Sequence, residues 1–276
     1  MIKPEIDILL PYWGDFSLFK KAVDSVLAQT EENWRLQIFD DAYSSFEAKK
    51  YIASLKDKRI SYYRHKKNIG ITKNFNYSIQ AAKAKYCVIF GCDDKMLPDY
   101  VKTSLKNIRN ADFYQPGVEV IDDNDLIYNP LVDRIKAVLR PKKPGIYEGE
   151  ILASSLSSGN WLYFPSILWK TSFIQKYTFD TEHNNTQDVI MELTMIKDGG
   201  KLYIDDKILF QYRRSANSWS SRRKSKAGGR FKEENEIYNR FAKEFKALKW
   251  NKAALSAKLH LTSRFHRILT SIQAKF

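Results

Sequence analysis

Apolar positions in the first hundred residues follow two alternating rhythms. Ile6 to Leu10 is a short apolar run closed by Pro11-Tyr12, and Trp34 to Phe39 is a second run that ends in the carboxylate pair Asp40-Asp41. Runs of this length bounded by turn residues predict strands. Between them Leu18, Phe19, Ala22, Val23, Val26 and Leu27 recur at helical spacing, which gives one apolar face to pack on a sheet. Ile60 to Tyr63 predicts a third strand, Thr72 to Ala84 a helix with Phe75, Ile79 and Ala82 along one side, and Tyr86 to Phe90 a further strand. The alternation predicts an α/β fold: a Rossmann-like, mostly parallel central sheet covered by helices.

Ligands of such sheets bind beyond the carboxyl ends of the strands. Pro11-Tyr12, Asp40-Asp41 and Gly91-Cys92-Asp93-Asp94 are therefore expected to meet at one rim. Adjacent ionised Asp side chains repel each other unless they are solvated or neutralised, and a divalent ion bridging carboxylate and phosphate oxygens is the common remedy. A plain turn rich in Asp and Gly is the competing explanation. The chain has neither G-x-G-x-x-G nor G-x-x-x-x-G-K-[ST], so any phosphate has to be held by metal and side chains. An Asp-rich rim of that kind suits a nucleotide-sugar site better than a dinucleotide or ATP-hydrolysis site.

Several pieces occur in a telling order. They are Ile8-Leu9-Leu10-Pro11-Tyr12, Ser25-Val26-Leu27-Ala28-Gln29-Thr30, Phe39-Asp40-Asp41, Asn68-Ile69-Gly70, Asn76, and Phe90-Gly91-Cys92-Asp93-Asp94 followed by Leu97-Pro98. On these, residues 5 to about 104 resemble the N-terminal half of a family 2, GT-A-fold glycosyltransferase. The resemblance implies a GT-A domain over residues 1–220, with a nucleotide-binding half at 1–104 and an acceptor-binding half at 105–220. It also implies roles. Pro11, Tyr12 and Asp41 would contact the base of a nucleoside diphosphate, usually uridine, while Asp93 and Asp94 would meet ribose and metal, Asp94 as the ligand of Mn2+ or Mg2+. Asn68, Gly70 and Lys73 would line the nucleotide site, a turn and a solvated lysine being the ordinary alternatives. Two departures stand out. Gly91 occupies a place where many relatives carry Asp, and Ala42-Tyr43 replaces a Gly-Ser turn, so that Tyr43 could stack on the base.

In the second half, Thr186-Gln187-Asp188 precedes Val189, Ile190, Leu193 and Ile196 at helical spacing, and Gly199-Gly200 closes the pattern. An Asp there is often only a cap. Relatives carry a Glu-Asp pair whose Asp deprotonates the acceptor hydroxyl, which assigns Asp188 as general base of an inverting transfer, with Gln187 in place of Glu. The segment Tyr212-Arg213-Arg214-Ser215 resembles one where an Arg and often a His approach the diphosphate. Arg213, aided by Arg214, is expected to clamp phosphate, and Ser215 stands in the His position. Trp219 is read either as part of a lid or as core. Trp161 and Tyr163, in an aromatic stretch, are acceptor candidates by sugar stacking, against the reading that they are core. His183 lies near Asp188 in sequence and is read as a surface residue. The donor sugar would be read by variable loops between residues 115 and 187.

Charge divides the chain. Of 46 basic and 32 acidic side chains, 17 and 4 fall in residues 213–276, so the remainder is nearly neutral. Residues 221–276 read as a basic amphipathic helical extension. Arg222 to Gly229 form a linker, Ile237, Phe241, Phe245 and Leu248 one apolar stripe, and Leu261, Phe265, Ile268 and Ile272 a second, with Lys258, Arg264 and Arg267 beside it. Such helices bind an anionic membrane surface, or their stripes pack on the domain or on a second subunit in a homo-oligomer.

The 276 residues, 43% hydrophobic, suffice for a large core. No apolar stretch is long enough to cross a bilayer, and Met1 to Glu5 does not read as a signal peptide. A cytoplasmic location is expected, peripheral on the inner face of the cell membrane if the tail binds lipid. Cys87 and Cys92 form no CxxC, and no zinc-type His spacing occurs. The leading expectation is an inverting glycosyltransferase that takes a sugar, UDP-linked in the first instance, to a glycan or lipid-linked glycan. The rival is a nucleic-acid-binding α/β protein using its basic tail. No specific nucleic acid is expected as partner of the transferase.

Overall fold

The computed structural model describes residues 4–183, 186–214 and 227–260, with side chains from 231 onward in the last segment. Four strands form the parallel part of a sheet in the order β3-β2-β1-β4: β1 (Ile6–Tyr12), β2 (Trp34–Asp40), β3 (Ile60–Arg64) and β4 (Tyr86–Ile89). Helices α1 (Phe16–Leu27), α2 (Glu47–Leu55) and α3 (Ile71–Ala81) connect them. The Asp15 carboxylate caps α1 by accepting the Ser17 and Leu18 amides. Helix α3 stops short of the expected Ala84 for a tertiary reason. The amides of Lys83 and Ala84 donate to the buried Asp7 carboxylate at 2.6 and 2.8 Å, while Arg35 grips the same carboxylate with two nitrogens.

Past β4 the sheet becomes mixed. Strand β8 (Leu168–Lys170) runs antiparallel to both β4 and β6 (Phe113–Ile121), and β6 runs parallel to β9 (Leu202–Arg213). The short β5 (Lys95–Met96) and β7 (Gly145–Tyr147) pair antiparallel with β9, making nine strands among the described residues. The apolar runs at 202–204 and 208–210 belong to the one strand β9, irregular where it passes Gln115 to Val118. Gly117 makes that irregularity possible, since a Cβ there would lie 2.6 Å from the Asp206 carbonyl oxygen.

Residues 115–187, read from sequence as variable loops, carry much regular structure. They hold most of β6, then α5 (Leu131–Leu139), β7, α6 (Gly149–Ser158), β8 and α7 (Thr171–Ile174). Ahead of them lies α4 (Tyr100–Ile108), and behind them α8 (Gln187–Lys197). Strands β7 and β8 have three residues each, too few for periodicity to show.

Helices α9 (Ala227–Ala247) and α10 (Asn251–Leu259) close the described chain. Ile237, Phe241 and Phe245 are buried in the same core as Leu156, Leu193 and Met195. Of the alternatives for this stripe, packing on the domain is therefore the one observed. Lys197 of α8 pairs with Glu244 at 2.8 Å, and the Lys252 amide donates to Glu150 of α6 at 2.6 Å. Leu248, grouped with the stripe by spacing, is 45% exposed. The linker read at 222–226 and the second stripe at Leu261, Phe265, Ile268 and Ile272, with Arg264 and Arg267, lie outside the described residues. Among those described, no helix is long and apolar enough to cross a membrane.

If α9 is part of the core, Phe241→Ala should lower unfolding free energy by about 3–5 kcal/mol. Leu248→Ala should change it by no more than about 0.5 kcal/mol. Urea unfolding midpoints of the two variants test this, and equal, small effects would show α9 to be dispensable.

Candidate active site

Strand β4 ends at Ile89, and the chain turns at Gly91 to bring Asp93 and Asp94 against the end of β9. Backbone bonds from Phe90 to Leu9 (2.7 Å) and from Asp41 to Tyr12 (2.9 Å) lace the ends of β1, β2 and β4 together. The three expected loops thus share one rim. Asp94 is buried, and its Oδ1 accepts the Arg213 amide at 2.8 Å. Its other oxygen folds back over Gly91, where a Cβ would sit 2.2 Å from Oδ2. A side chain at 91 and this placement of Asp94 exclude each other. Burial pushes both carboxyls above the ordinary carboxylate range, Asp94 further because the Asp93 charge lies beside it, and the nearby Arg213 charge opposes the rise.

Arg213, expected to clamp phosphate, is closed off from solvent. Its Nε donates to the Asp93 carbonyl at 2.7 Å, and its two terminal nitrogens reach the Asp122 carbonyl and the Asp125 carboxylate. The guanidinium buttresses the acidic turn instead of facing a ligand, because its donors are already engaged. Ser215 and Trp219 lie outside the described residues.

On the β2 side, Asp40 is buried under Tyr62, Arg64 and the Tyr43 amide. Asp41 accepts the amides of Ile69 (2.7 Å) and Gly70 (2.9 Å), one on each oxygen, and so fixes the Asn68-Ile69-Gly70 turn ahead of α3. Gly70 has φ +87°, a conformation that favours glycine, and Ala42 has φ +55°, which accounts for the Gly of relatives there. Asn68 and Lys73 are exposed at this turn. Pro11 is buried in β1, and the Tyr12 ring lies in the core with its hydroxyl on the Gly14 carbonyl at 3.0 Å. The exposed ring of this loop is Trp13, set edge-on to Tyr43 at 5.6 Å. Sequence reading passed over Trp13, although it directly follows the Pro-Tyr that ends β1.

Asp188 lies in the first turn of α8, half-buried. Two contacts position that turn. Thr72 of α3 donates to the Gln187 side-chain Oε1 at 2.8 Å, joining α3 to α8, and Glu233 of α9 accepts both the amide and the hydroxyl of Thr186. One turn deeper, Glu192 is fully buried. Its Oε2 accepts from Asn160 at 3.0 Å, and its Oε1 has no hydrogen-bond partner. Burial, and then the Asp188 charge, push the Glu192 carboxyl well above the ordinary range. Lys136 answers from α5. Burial and the Arg214 charge push its amine down to about 8, while the charges of Asp133, Asp188 and Glu192 pull the other way.

Between this cluster and the acidic turn runs a band of polar contacts. Arg214 grips Asp133 with two nitrogens, Tyr163 donates to Asp133 at 2.7 Å, and the Lys136 ammonium sits 4.3 Å from the Tyr163 ring centre. Tyr212 packs 5.2 Å from Tyr163 and feels the charges of Asp94 and Asp133, which with burial hold its hydroxyl protonated. Tyr163 thus belongs to this polar band. Trp161 does not: it is core, with its indole N–H on Ser155. His183 pairs with Asp180 at 2.6 Å. Asp133, Lys136, Glu192 and Tyr212 went unread in the sequence. Helical spacing on α5 would have turned its polar face outward.

The fold is of the GT-A class, and solved structures share it. Residues 1–349 of S. aureus TarS in complex with UDP-GlcNAc superpose with a TM-score of 0.67 at 12% identity, covering 85% of this chain and 65% of that TarS chain. The mannosyltransferase PcManGT from Pyrobaculum calidifontis, in complex with GDP-Man and Mn2+, gives 0.66 at 12% identity over 99% of this chain and 76% of that one. The family model for glycosyl transferase family 2 matches residues 7–172, and the chain belongs to that family. An uncharacterised glycosyltransferase of Methanocaldococcus jannaschii is 24% identical over 77% of this chain and 72% of its own length. An Escherichia coli protein provisionally named as the colanic acid biosynthesis glycosyl transferase WcaA is 27% identical over 72% and 68%.

The buried Glu192 has a pH signature. Folded protein holds a proton there that the unfolded chain releases above its ordinary pKa of about 4.3, so this group's contribution to stability falls as pH rises from that value toward the raised folded one. Glu192→Gln keeps the shape and the bond to Asn160 without the charge. Melting temperatures of variant and parent should match below about pH 4 and diverge in favour of the variant as pH rises toward about 8. A gap of constant size across that range would show that Glu192 does not titrate in the native state.

Proposed function

We propose that this chain is an inverting glycosyltransferase that moves a sugar from a nucleoside diphosphate sugar to a hydroxyl of a glycan or lipid-linked glycan. The observation that carries the reading is that two contact routes tie the helix bearing Asp188 to the acidic rim, one to Asp93-Asp94 and one to Asp41. One runs through Arg213-Arg214, Asp133 and Lys136, the other through Asp41, the Gly70 turn and the Thr72–Gln187 bond. The sugar nucleotides bound to TarS and to the mannosyltransferase support the donor class, and the naming of the E. coli relative supports a polysaccharide product.

Asp93 and Asp94 offer two adjacent hard carboxylate oxygens, and among the described residues no group of three or more acidic, His or Cys side chains is arranged to hold an ion. Such a donor set fits a Mn2+ or Mg2+ that completes its shell with water and substrate phosphate oxygens. When bound, the ion would offset the charge that develops on the departing diphosphate. Trp13 and Tyr43 present ring surface for the nucleotide base beside the Asp41-held turn, with Asn68, Gly70 and Lys73 along its edge. Asp188 takes the proton of the acceptor hydroxyl as that oxygen bonds to the anomeric carbon and the carbon–phosphate-oxygen bond breaks on the opposite face, its electron pair leaving with the diphosphate. Tyr163 lines the acceptor side. No covalent sugar–enzyme bond is needed.

The two carboxylates should separate in experiment. Asp94→Asn is expected to abolish the thermal stabilisation that UDP or GDP gives only when Mn2+ is present. Asp188→Asn should keep that stabilisation and lose transfer by about 10²–10⁴-fold, measured as nucleoside diphosphate release with acceptor. Wild-type turnover in the Asp188 variant would overturn the base assignment.

A further inference from the structure

Helix α5 is inside out. Its buried residue is Asp133, and Lys136 on the same side meets Tyr163, whereas Leu131 and Val138 are 48% and 73% exposed. Leu131, Ile135 and Val138 recur at i, i+4 and i+7, so one apolar stripe runs along the outer face, opposite Asp133. Val132 adds to its edge, and the turn just before the helix exposes Leu126 and Ile127 at 63% and 65%. Single exposed aliphatic residues need no explanation, but five within thirteen positions form a patch.

The patch is rimmed by cations. Besides the inward Lys136 and Arg140, which bonds the Asp205 carbonyl, residues 131–143 contain Arg134, Lys142 and Lys143 against one acid, Asp133, which is buried and paired with Arg214. Arg134, Lys142 and Lys143 are exposed. Asp123 is the exposed acid of the preceding hairpin, while Asp125 there is paired with Arg213 and Lys21.

We propose that the outer face of α5 docks on an anionic lipid bilayer, with Leu131, Ile135 and Val138 in the headgroup–acyl boundary and Arg134, Lys142 and Lys143 on the lipid phosphates. Aliphatic residues flanked by Lys and Arg are the chemistry of an interfacial helix. A second copy of the chain is the poorer occupant, because a twofold contact through this face would set its cations against their own images. The membrane function expected of the tail stripe on α9 is thereby carried by a different helix, since the α9 stripe is in the core. The inner face of α5 supplies Asp133 and Lys136 to the acceptor side, so docking would put that side of the site behind a single helix from the lipid. Resting on the transferase reading, this favours a lipid-linked acceptor over a free glycan.

The test is sedimentation of the full chain with vesicles of phosphatidylcholine alone or mixed with phosphatidylglycerol, at low and high salt. The parent should bind the mixed vesicles, release in high salt and bind phosphatidylcholine poorly. Leu131→Asp/Val138→Asp, and separately Lys142→Glu/Lys143→Glu, should weaken binding by at least about tenfold while leaving the stabilisation by nucleotide and Mn2+ unchanged. Parent-like binding by both variants would overturn the proposal. So would a parent dimer, by light scattering, that Leu131→Asp/Val138→Asp turns into a monomer. Failure of nucleotide binding in the parent would instead count against the transferase reading and leave the vesicle result standing.

Discussion

The acidic rim depends on a guanidinium turned toward the protein. Arg213 sits at the last position of β9 with its backbone amide on Asp94, its Nε on the Asp93 carbonyl and its remaining nitrogens on the 122–125 hairpin. Two adjacent carboxylates in a dry turn would repel each other and fold away from one another. A buried cation beside them offsets that repulsion, and burying it is tolerable only because each of its three side-chain nitrogens meets a fixed acceptor. The same residue therefore closes the end of the sheet and sets the direction of Asp94. Gly91 completes the arrangement by leaving room for the carboxylate.

The second constraint is the coupling of α8 to elements far away in sequence. Thr72 on α3 and Glu233 on α9 converge on Gln187 and Thr186, so the helix that carries Asp188 is held from both sides. Beneath Asp188 the interior is charged. Glu192, Lys136, Asp133 and Arg214 form a row of ionisable groups in which Arg214 pairs with Asp133 and burial raises the Glu192 carboxyl and lowers the Lys136 amine. In such surroundings an isolated charge would be costly, and the alternation of sign keeps Asp188 in a defined field. The inverted α5 is the structural consequence: it turns polar residues toward this row and leaves its aliphatic side outside.

Much of the nucleotide side was legible in the sequence. Apolar runs of strand length, closed by Pro-Tyr, Asp-Asp and the Gly91–Asp94 turn, placed three loops at one rim, and the structure puts them there. The acceptor side was far less legible, because its strands are two or three buried residues long and its helices do not follow outward polarity. Trp161 and Tyr163 stand two positions apart in one aromatic stretch, yet one is core and the other meets Asp133 and Lys136. Nothing in their types or spacing separates them. Arg213 and Arg214 pose the same problem: one buttresses the acidic turn and the other binds Asp133.

The sequence by itself determined the strands β1, β2 and β4, the helix between the first two, the acidic turn and the helix that bears Asp188, because local spacing and turn chemistry act over a few residues. Only tertiary structure decided which polar side chains are exposed to a ligand and which are consumed in holding the turn. It alone decided that the stripe of α9 is core and that of α5 is surface. Burial and charge pairing are properties of neighbours brought together from distant parts of the chain, and hydrophobic periodicity records only that a helix has two faces, not which of them looks inward.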